Sequence, residues 1–154
     1  MHLVTAPAPL PQTKHNLFLA GSIDNGLARD WQNEVITELQ NTDWTIFNPR
    51  RQDWNRDWQQ SESHPEFRRQ VSWELAAQEF ADVILMYFEP QFQSPISLLE
   101  LGLFARSGKM MVVCPEGYWR KGNVDIVCNT YQIQQYASLS EAIQVLKTSD
   151  YVKA

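Results

Sequence analysis

Apolar and polar positions along the chain define alternating strand-like and helix-like segments. Leu17, Phe18, Leu19 and Ala20 form a short apolar run that stops at Gly21-Ser22, the pattern of a strand ended by a tight turn. From about Leu27 to Gln40 the period changes. Trp31, Val35, Ile36 and Leu39 fall at i, i+4, i+5 and i+8, with Asn33, Glu34 and Glu38 elsewhere, which predicts a helix with one buried face. The unit then recurs. Trp44 to Phe47 reads as a second strand ended by Asn48-Pro49, and a long loop rich in Trp and Arg leads to a helix from about Pro65 to Phe80. Asp82 to Phe88 is nearly all apolar, as expected of a central parallel strand buried on both faces. A helix from about Ser97 to Ser107 follows. Met110 to Cys114 predicts a fourth strand, Tyr131 to Ile133 a weak fifth, and Leu139 to Lys147 a closing helix.

Strands and helices that alternate in this way imply parallel pairing, because parallel neighbours need crossover connections. The expected fold is α/β, a three-layer flavodoxin/Rossmann-like sandwich with a mainly parallel five-stranded sheet. Residues 1–15 carry Pro7, Pro9 and Pro11 without apolar periodicity and read as a flexible arm; residues 16–154 read as a single domain. Ligands in such sheets bind beyond the carboxyl ends of the strands, which directs attention to segments 21–26, 48–64, 89–100 and 115–130.

Composition narrows the classes. Of 154 residues, 44% are apolar and 12% aromatic, enough for a sizeable core and unlike a disordered chain. The longest purely apolar run, Val83 to Phe88, is far too short to span a bilayer, and the start lacks a charged-then-apolar signal pattern. A soluble, cytoplasmic protein with no membrane partner is expected. Cys114 and Cys128 have no CxxC or Cys/His ligand spacing, so neither a disulfide nor a metal site is expected. With 18 acidic against 13 basic residues the formal charge is −5, which argues against binding a nucleic-acid polymer, although Arg50, Arg51, Arg56, Arg68 and Arg69 gather in one stretch.

Several residues in those segments have the chemistry of a site. Gly21-Ser22-Ile23-Asp24-Asn25-Gly26 follows the first strand, but it is neither GxGxxG nor a P-loop. Glu100 lies among apolar residues. It has the S-x-x-E spacing with Ser97 that makes a capping box, the reading that spacing alone favours, and the alternative is a nucleophile turned into the crevice. Glu74 is either solvated, paired with Arg68 or Arg69, or the partner of a second carboxylate. Two carboxylates in one crevice can hold different protonation states, as glycosyl-transfer chemistry requires. Gly117 to Asp125 reads as a polar, aromatic loop. Asn48, Arg50 and Trp54 open a stretch whose flat side chains suit stacking on a base, although Trp54 and Trp58 at i, i+4 suit a core equally well.

Over about residues 16–133 the chain resembles the nucleoside 2-deoxyribosyltransferase family and its relatives, the 2'-deoxynucleoside 5'-phosphate N-hydrolases. The resemblance rests on Phe18-Leu19-Ala20-Gly21-Ser22, Ala81-Asp82-Val83-Ile84, Glu100-Leu101-Gly102 with Ser107-Gly108-Lys109 downstream, and the loop ending in Asn123. It implies that Glu100 attacks the anomeric carbon of a 2'-deoxynucleoside, and that Glu74, eight residues before Asp82, protonates the departing base. It implies also that Asn123 reaches a neighbouring subunit's site, so that the chain is a homodimer or a higher homo-oligomer. Gly21, Ser22, Asp24 and Asp82 fall within or beside the matching motifs and, with Phe18, Ser94, Asn123, Asn48, Arg50 and Trp54, are the expected substrate-binding residues. No cofactor is implied; the partners are deoxynucleosides and free nucleobases.

The chain departs from that pattern at four places. Phe18 stands where many members have a Tyr that orients the nucleophile, Ser94 where transferases often have Asp, and Glu74 where Asp is usual. Asp24 stands where the phosphate-specific hydrolases present Arg. A carboxylate repels a 5'-phosphate, so the expected donor is unphosphorylated.

Overall fold

The computed structural model describes residues 1–148. Six strands, all parallel, form one sheet in the order β1-β3-β2-β4-β5-β6. They are β1 (His2–Thr5), β2 (Asn16–Gly21), β3 (Thr45–Asn48), β4 (Val83–Tyr87), β5 (Met110–Val113) and β6 (Gln134–Tyr136). The helices are α1 (Trp31–Glu38), α2 (Pro65–Phe80), α3 (Pro95–Phe104), α4 (Lys121–Tyr131) and α5 (Leu139–Lys147).

Side chains alternate across the sheet, as a period of two requires. Leu17, Leu19, Val83, Leu85 and Tyr87 face a layer made by α1 and α5, where Trp31, Val35, Ala142 and Ile143 meet them. Phe18, Ala20, Ile84, Met86 and Phe88 face Trp73 and Ala77 of α2, Leu101 and Phe104 of α3, and Val124 and Cys128 of α4. Burying a side chain such as Leu85 or Phe88 contributes about 2 kcal/mol each, which explains why both faces of β2 and β4 are apolar.

The expected α/β sandwich is present, with one strand more than the sequence pattern predicts. The segment read as a flexible arm contains β1, whose Leu3 and Val4 pair with Ile46 and Phe47 at the sheet edge. Beyond it, the carbonyl of Ala8 accepts a 2.6 Å hydrogen bond from the Trp73 indole, so the segment is fixed across α2. The segment read as a loop ending in Asn123 is the start of α4, held by burial of Val124 and Cys128 one turn apart. Strand β6 begins three residues later than the predicted Tyr131. Residues 149–154, the end of the predicted domain, lie outside the described residues.

Strand order reverses between β2 and β4: the chain goes from β2 outward to β3 and then back across to β4. That switch point is where an open α/β sheet leaves a crevice. At the end of β2, Gly21 has φ +133°, and a Cβ there would stand 2.1 Å from the carbonyl oxygen of Tyr87. The missing side chain lets the ends of β2 and β4 touch, with the Ser22 N–H donating to that same carbonyl at 3.0 Å.

Candidate active site

Glu74 and Glu100 meet across the interface of α2 and α3, joined through glutamines. Gln70, Glu74 and Gln78 lie at i, i+4 and i+8 on α2 and so share one face. Gln70 Nε2 donates to Glu74 Oε1 at 2.9 Å and to the carbonyl of Pro49 at 2.9 Å. Gln78 Nε2 donates to Glu100 Oε1 at 2.7 Å and to the backbone carbonyl of Glu74 at 3.3 Å. The capping-box alternative for Glu100 is excluded: α3 starts at Pro95 with Ser94 as its N-cap, so Ser97 lies inside the helix. Glu74 makes no ion pair with Arg68 or Arg69 among the described residues; its partner is Gln70.

Burial pushes the Glu74 carboxyl up to about 7, against the opposing effect of the Gln70 donor. Burial first, and repulsion from Glu74 second, push Glu100 up to about 8, with Gln78 opposing. Two carboxyls that repel each other titrate as one unit. Between those two ionisations the pair holds one proton and one negative charge; Glu74, with the lower value, gives up its proton first, so attack by Glu100 requires the shared proton to pass to Glu74.

A second cluster lies at the switch point. The hydroxyls of Ser22 and Ser94 are 2.5 Å apart, Ser94 donates to Asp24 Oδ2 at 3.3 Å, and the Glu89 N–H donates to Ser22 Oγ at 2.9 Å. Each hydroxyl has one proton, so if Ser94 gives its own to Asp24, Ser22 must give its proton to Ser94. The chain runs one way, from the Glu89 amide to the Asp24 carboxylate. Burial raises the Asp24 carboxyl, and the Ser94 hydroxyl and backbone oppose that rise. The indole of Trp31 fixes this turn by donating to the Ser22 carbonyl at 3.0 Å. Ser94 sits in the left-handed region at φ 48°, a conformation that costs a non-glycine residue about 1 kcal/mol or more and that sets the hydroxyl beside Ser22. From Ser94 to Glu100 is six residues, roughly 9 Å along α3.

The remaining candidates divide. Trp54 leans on the 22–26 turn, its indole donating to Asn25 Oδ1 at 3.3 Å, and its ring meets Trp58 edge-on at 5.1 Å. Asn48, buried at the end of β3, accepts the Arg50 N–H on its side chain. Arg50 does not face the crevice as a free cation: it donates to the carbonyls of Ala28 at 2.9 Å, Arg29 at 3.0 Å and Gly26 at 3.3 Å, clamping the loop before α1. Phe18 is wholly buried against Trp73. Asp82 is at the opposite end of the sheet, where its Oδ2 accepts from the backbone N–H of Asn16 at 2.7 Å, and it is a strand-start clamp rather than a crevice residue. Asn123 is exposed on α4 and lines a groove with Leu98, Leu101 and Gly102 of α3.

Gln70 and Gln78 escape sequence reasoning, since glutamine on a helix ordinarily signals a solvated face. Their 4-residue spacing through Glu74 is the signal that was available. Among the described residues no cluster of His, Cys, Asp and Glu suits a metal, and no helix is long and apolar enough to cross a membrane.

A doubly wound parallel sheet with paired glutamates between two helices of one layer and a serine–aspartate chain at the switch point defines a flavodoxin-like α/β protein with a carboxylate-pair site. Residues 14–118 match the family described as nucleoside 2-deoxyribosyltransferase like. The chain belongs to that family. Among solved structures it is similar to the CMP N-glycosidase BcmB of Clostridium botulinum, at 17% identity and a TM-score of 0.53, over 85% of this chain and 97% of that one. At that identity the likeness is one of fold. Curated proteins give no match.

Proposed function

We propose that the protein transfers 2-deoxyribose between nucleobases by double displacement. The observation that carries this reading is the Glu74–Glu100 pair, each carboxyl held through one oxygen by its own glutamine donor. Glu100 attacks C1' of a 2'-deoxynucleoside; a C–O ester bond forms, the N-glycosidic bond breaks, and the base departs with the proton of Glu74. A second base then attacks C1' from the vacated side, its N–H proton passes to Glu74, and the ester bond breaks to return the Glu100 carboxylate. A 2'-hydroxyl would withdraw electrons from the oxocarbenium-like transition state, so a ribonucleoside reacts poorly. Asp24 favours an unphosphorylated donor, because its carboxylate, anchored by Ser94, repels a 5'-phosphate. Of the nearby cations, Arg50 is engaged on carbonyls and Arg29 on Glu34 and Glu89, while Arg56, whose Nη2 lies 3.8 Å from the Cβ position of Gly26, makes no hydrogen bond or ion pair among the described residues.

Likeness in fold to a CMP N-glycosidase supports a second reading, in which water takes the place of the second base. Incubation with thymidine or deoxyinosine plus adenine, followed by chromatography, separates the two. Transfer yields deoxyadenosine. Free base released equally with and without adenine overturns transfer in favour of hydrolysis, and faster release from a deoxynucleoside 5'-phosphate overturns the preference assigned to Asp24.

The pH profile follows from the ionisations of the pair. Below about 7 both carboxyls are protonated and no nucleophile exists; above about 8 both are charged and no acid remains. The rate of base release should therefore follow a bell with its maximum between these values, falling roughly tenfold per pH unit well outside them. A profile that stays flat from pH 5 to 9 would refute the proposed roles.

We further propose that two copies share their sites, with Asn123 supplied to the neighbour. On α3 the only charged side chain, Glu100, turns inward, while Ile96, Leu99 and Leu103 at i, i+3 and i+7 stand 59, 68 and 58% exposed. An apolar stripe on the outside of a helix calls for a cover, and a second copy of the same face supplies one under two-fold symmetry. Glu100→Ala and Asn123→Ala proteins, dissociated together and re-associated, should then recover about one quarter of wild-type activity, since half the dimers are mixed and each mixed dimer has one intact site. Recovery of nothing from the mixture would place Asn123 in the same subunit's site, and an Asn123→Ala protein active on its own would place it in none.

A further inference from the structure

We infer that Gln78 is the positioning residue of the nucleophile, fixing which oxygen of Glu100 attacks and holding its carboxylate ready to do so. The inference rests on the proposed role of Glu100 and assigns a function to a side chain that neither the family motifs nor the charge pattern marks.

Gln78 is wholly buried, and its amide can stand only one way round. Its Nε2 faces two acceptors at once, the Glu74 backbone carbonyl at 3.3 Å and Glu100 Oε1 at 2.7 Å. Turning the amide over would set Oε1 against the Glu74 carbonyl, two acceptors with no proton between them, and against a carboxylate as well whenever Glu100 is ionised. The carbonyl of Glu74 belongs to the helix backbone and does not titrate, so it locks the amide whether or not Glu100 is charged. The locked orientation has a cost: Gln78 Oε1 is buried without a partner.

The consequence for Glu100 is geometric. Oε1 is pinned by the amide, whereas Oε2 receives no hydrogen bond among the described residues and is not closed off from solvent. Attack therefore proceeds from Oε2. After attack the pinned oxygen becomes the ester carbonyl, and the same N–H keeps polarising it, so one donor serves both halves of the reaction. No side chain of β2 offers an alternative near Glu100, since Phe18 and Ala20 carry no polar atom and the amide of Asn16, at the far end of the strand, is engaged with Thr13 and Asp82. Gln70 plays the corresponding part for Glu74, but anchored on the Pro49 carbonyl of a loop rather than on its own helix.

The test uses Gln78→Met, which keeps length and volume and removes the donor, and Gln78→Asn, which keeps the amide but draws it back. Two readouts are taken: the pH profile of base release, with the rate at which a 2'-fluoro donor leaves its ester on the protein, and the titration of carbon-13-labelled glutamate carboxyls without substrate. In Gln78→Met, ester formation should fall about 10- to 100-fold, the worth of one hydrogen bond to a charged group. The limb of the profile that lies near 8, set by Glu100, and the carboxyl titration should both move to higher pH, by about one unit. Gln78→Asn should move them the same way by less, and it serves alone should the Met variant not fold. Loss of activity with an unmoved carboxyl titration would mean a structural role and overturn the inference. A moved titration in a protein whose wild type releases no base from any donor would sustain the positioning of Glu100 and sink the proposed function instead.

Discussion

Glu100→Ala is expected to abolish base exchange, with a loss of about 10^3-fold or more in rate and no sugar ester on the protein after exposure to a 2'-fluoro donor. Without the carboxylate there is no group on α3 to hold the sugar between the departure of one base and the arrival of the next: α3 has no other charged residue. Intact-protein mass measurement reads the ester directly. Exchange that persists in Glu100→Ala would show that the two bases meet without a covalent intermediate and that Glu100 is a bystander.

Glu100→Gln tells loss of chemistry from loss of fold. Both carboxyls lie above the ordinary glutamate value in the folded protein, so between about pH 5 and 8 the folded state binds more protons than the unfolded one. Stability then falls as pH rises through that window. Replacing one member by an amide removes a buried charge, so Glu100→Gln should melt at least as high as wild type at pH 8.5 while remaining inactive, and the difference should shrink at pH 5. A variant that melts lower at pH 8.5 would show that the charge is compensated in a way the glutamine contacts do not account for.

Gly21→Ala should be the most damaging single-methyl change among the glycines. The added Cβ would lie 2.1 Å from the oxygen and 2.8 Å from the nitrogen of Tyr87, both backbone atoms of the neighbouring strand, at φ +133°. Neither strand can yield, because β2 and β4 are the two central strands and are paired along their whole length. A loss of about 4 kcal/mol, or failure to fold, is expected, measured as the shift in the urea midpoint. Gly122→Ala is the control: nothing lies within 4 Å of a Cβ there, and in helix α4 the change should be neutral or stabilising by up to about 1 kcal/mol. A Gly21→Ala midpoint equal to wild type would show that the ends of β2 and β4 are not in contact in solution.

Legibility in the sequence followed the number of buried faces. Strands β2 and β4, buried on both sides, show as unbroken apolar runs, and Trp31, Val35 and Leu39 mark α1 by their spacing. Strand β1 was illegible because of its four residues only Val4 is buried, and prolines follow it. Helix α4 was illegible because Gly122, Asn123 and Thr130 are weak helix formers; what holds it is the burial of Val124 and Cys128 against the sheet, a tertiary effect. Glu100 was legible as a residue but not in its role, since Ser97-x-x-Glu100 fits a cap until the helix start is known to be Pro95. The position of Asp82 at the start of its strand already placed it at the end of the sheet away from ligands, and its motif obscured that. Gln70 and Gln78 carry the polarity of a solvated face yet form the inner wall of the site.

Strand β1 has a consequence for how the chain reaches this fold. Its only sheet partner among the described residues is β3, with His2 opposite Thr45 and Thr5 opposite Asn48, so its pairing closes a loop of about forty residues that contains β2 and α1. Such a closure is entropically costly and slow. Folding should therefore begin at β2 and β4 and add β1 late, onto an edge already formed, and the residues that lie earliest in the chain would be among the last to become protected against hydrogen exchange.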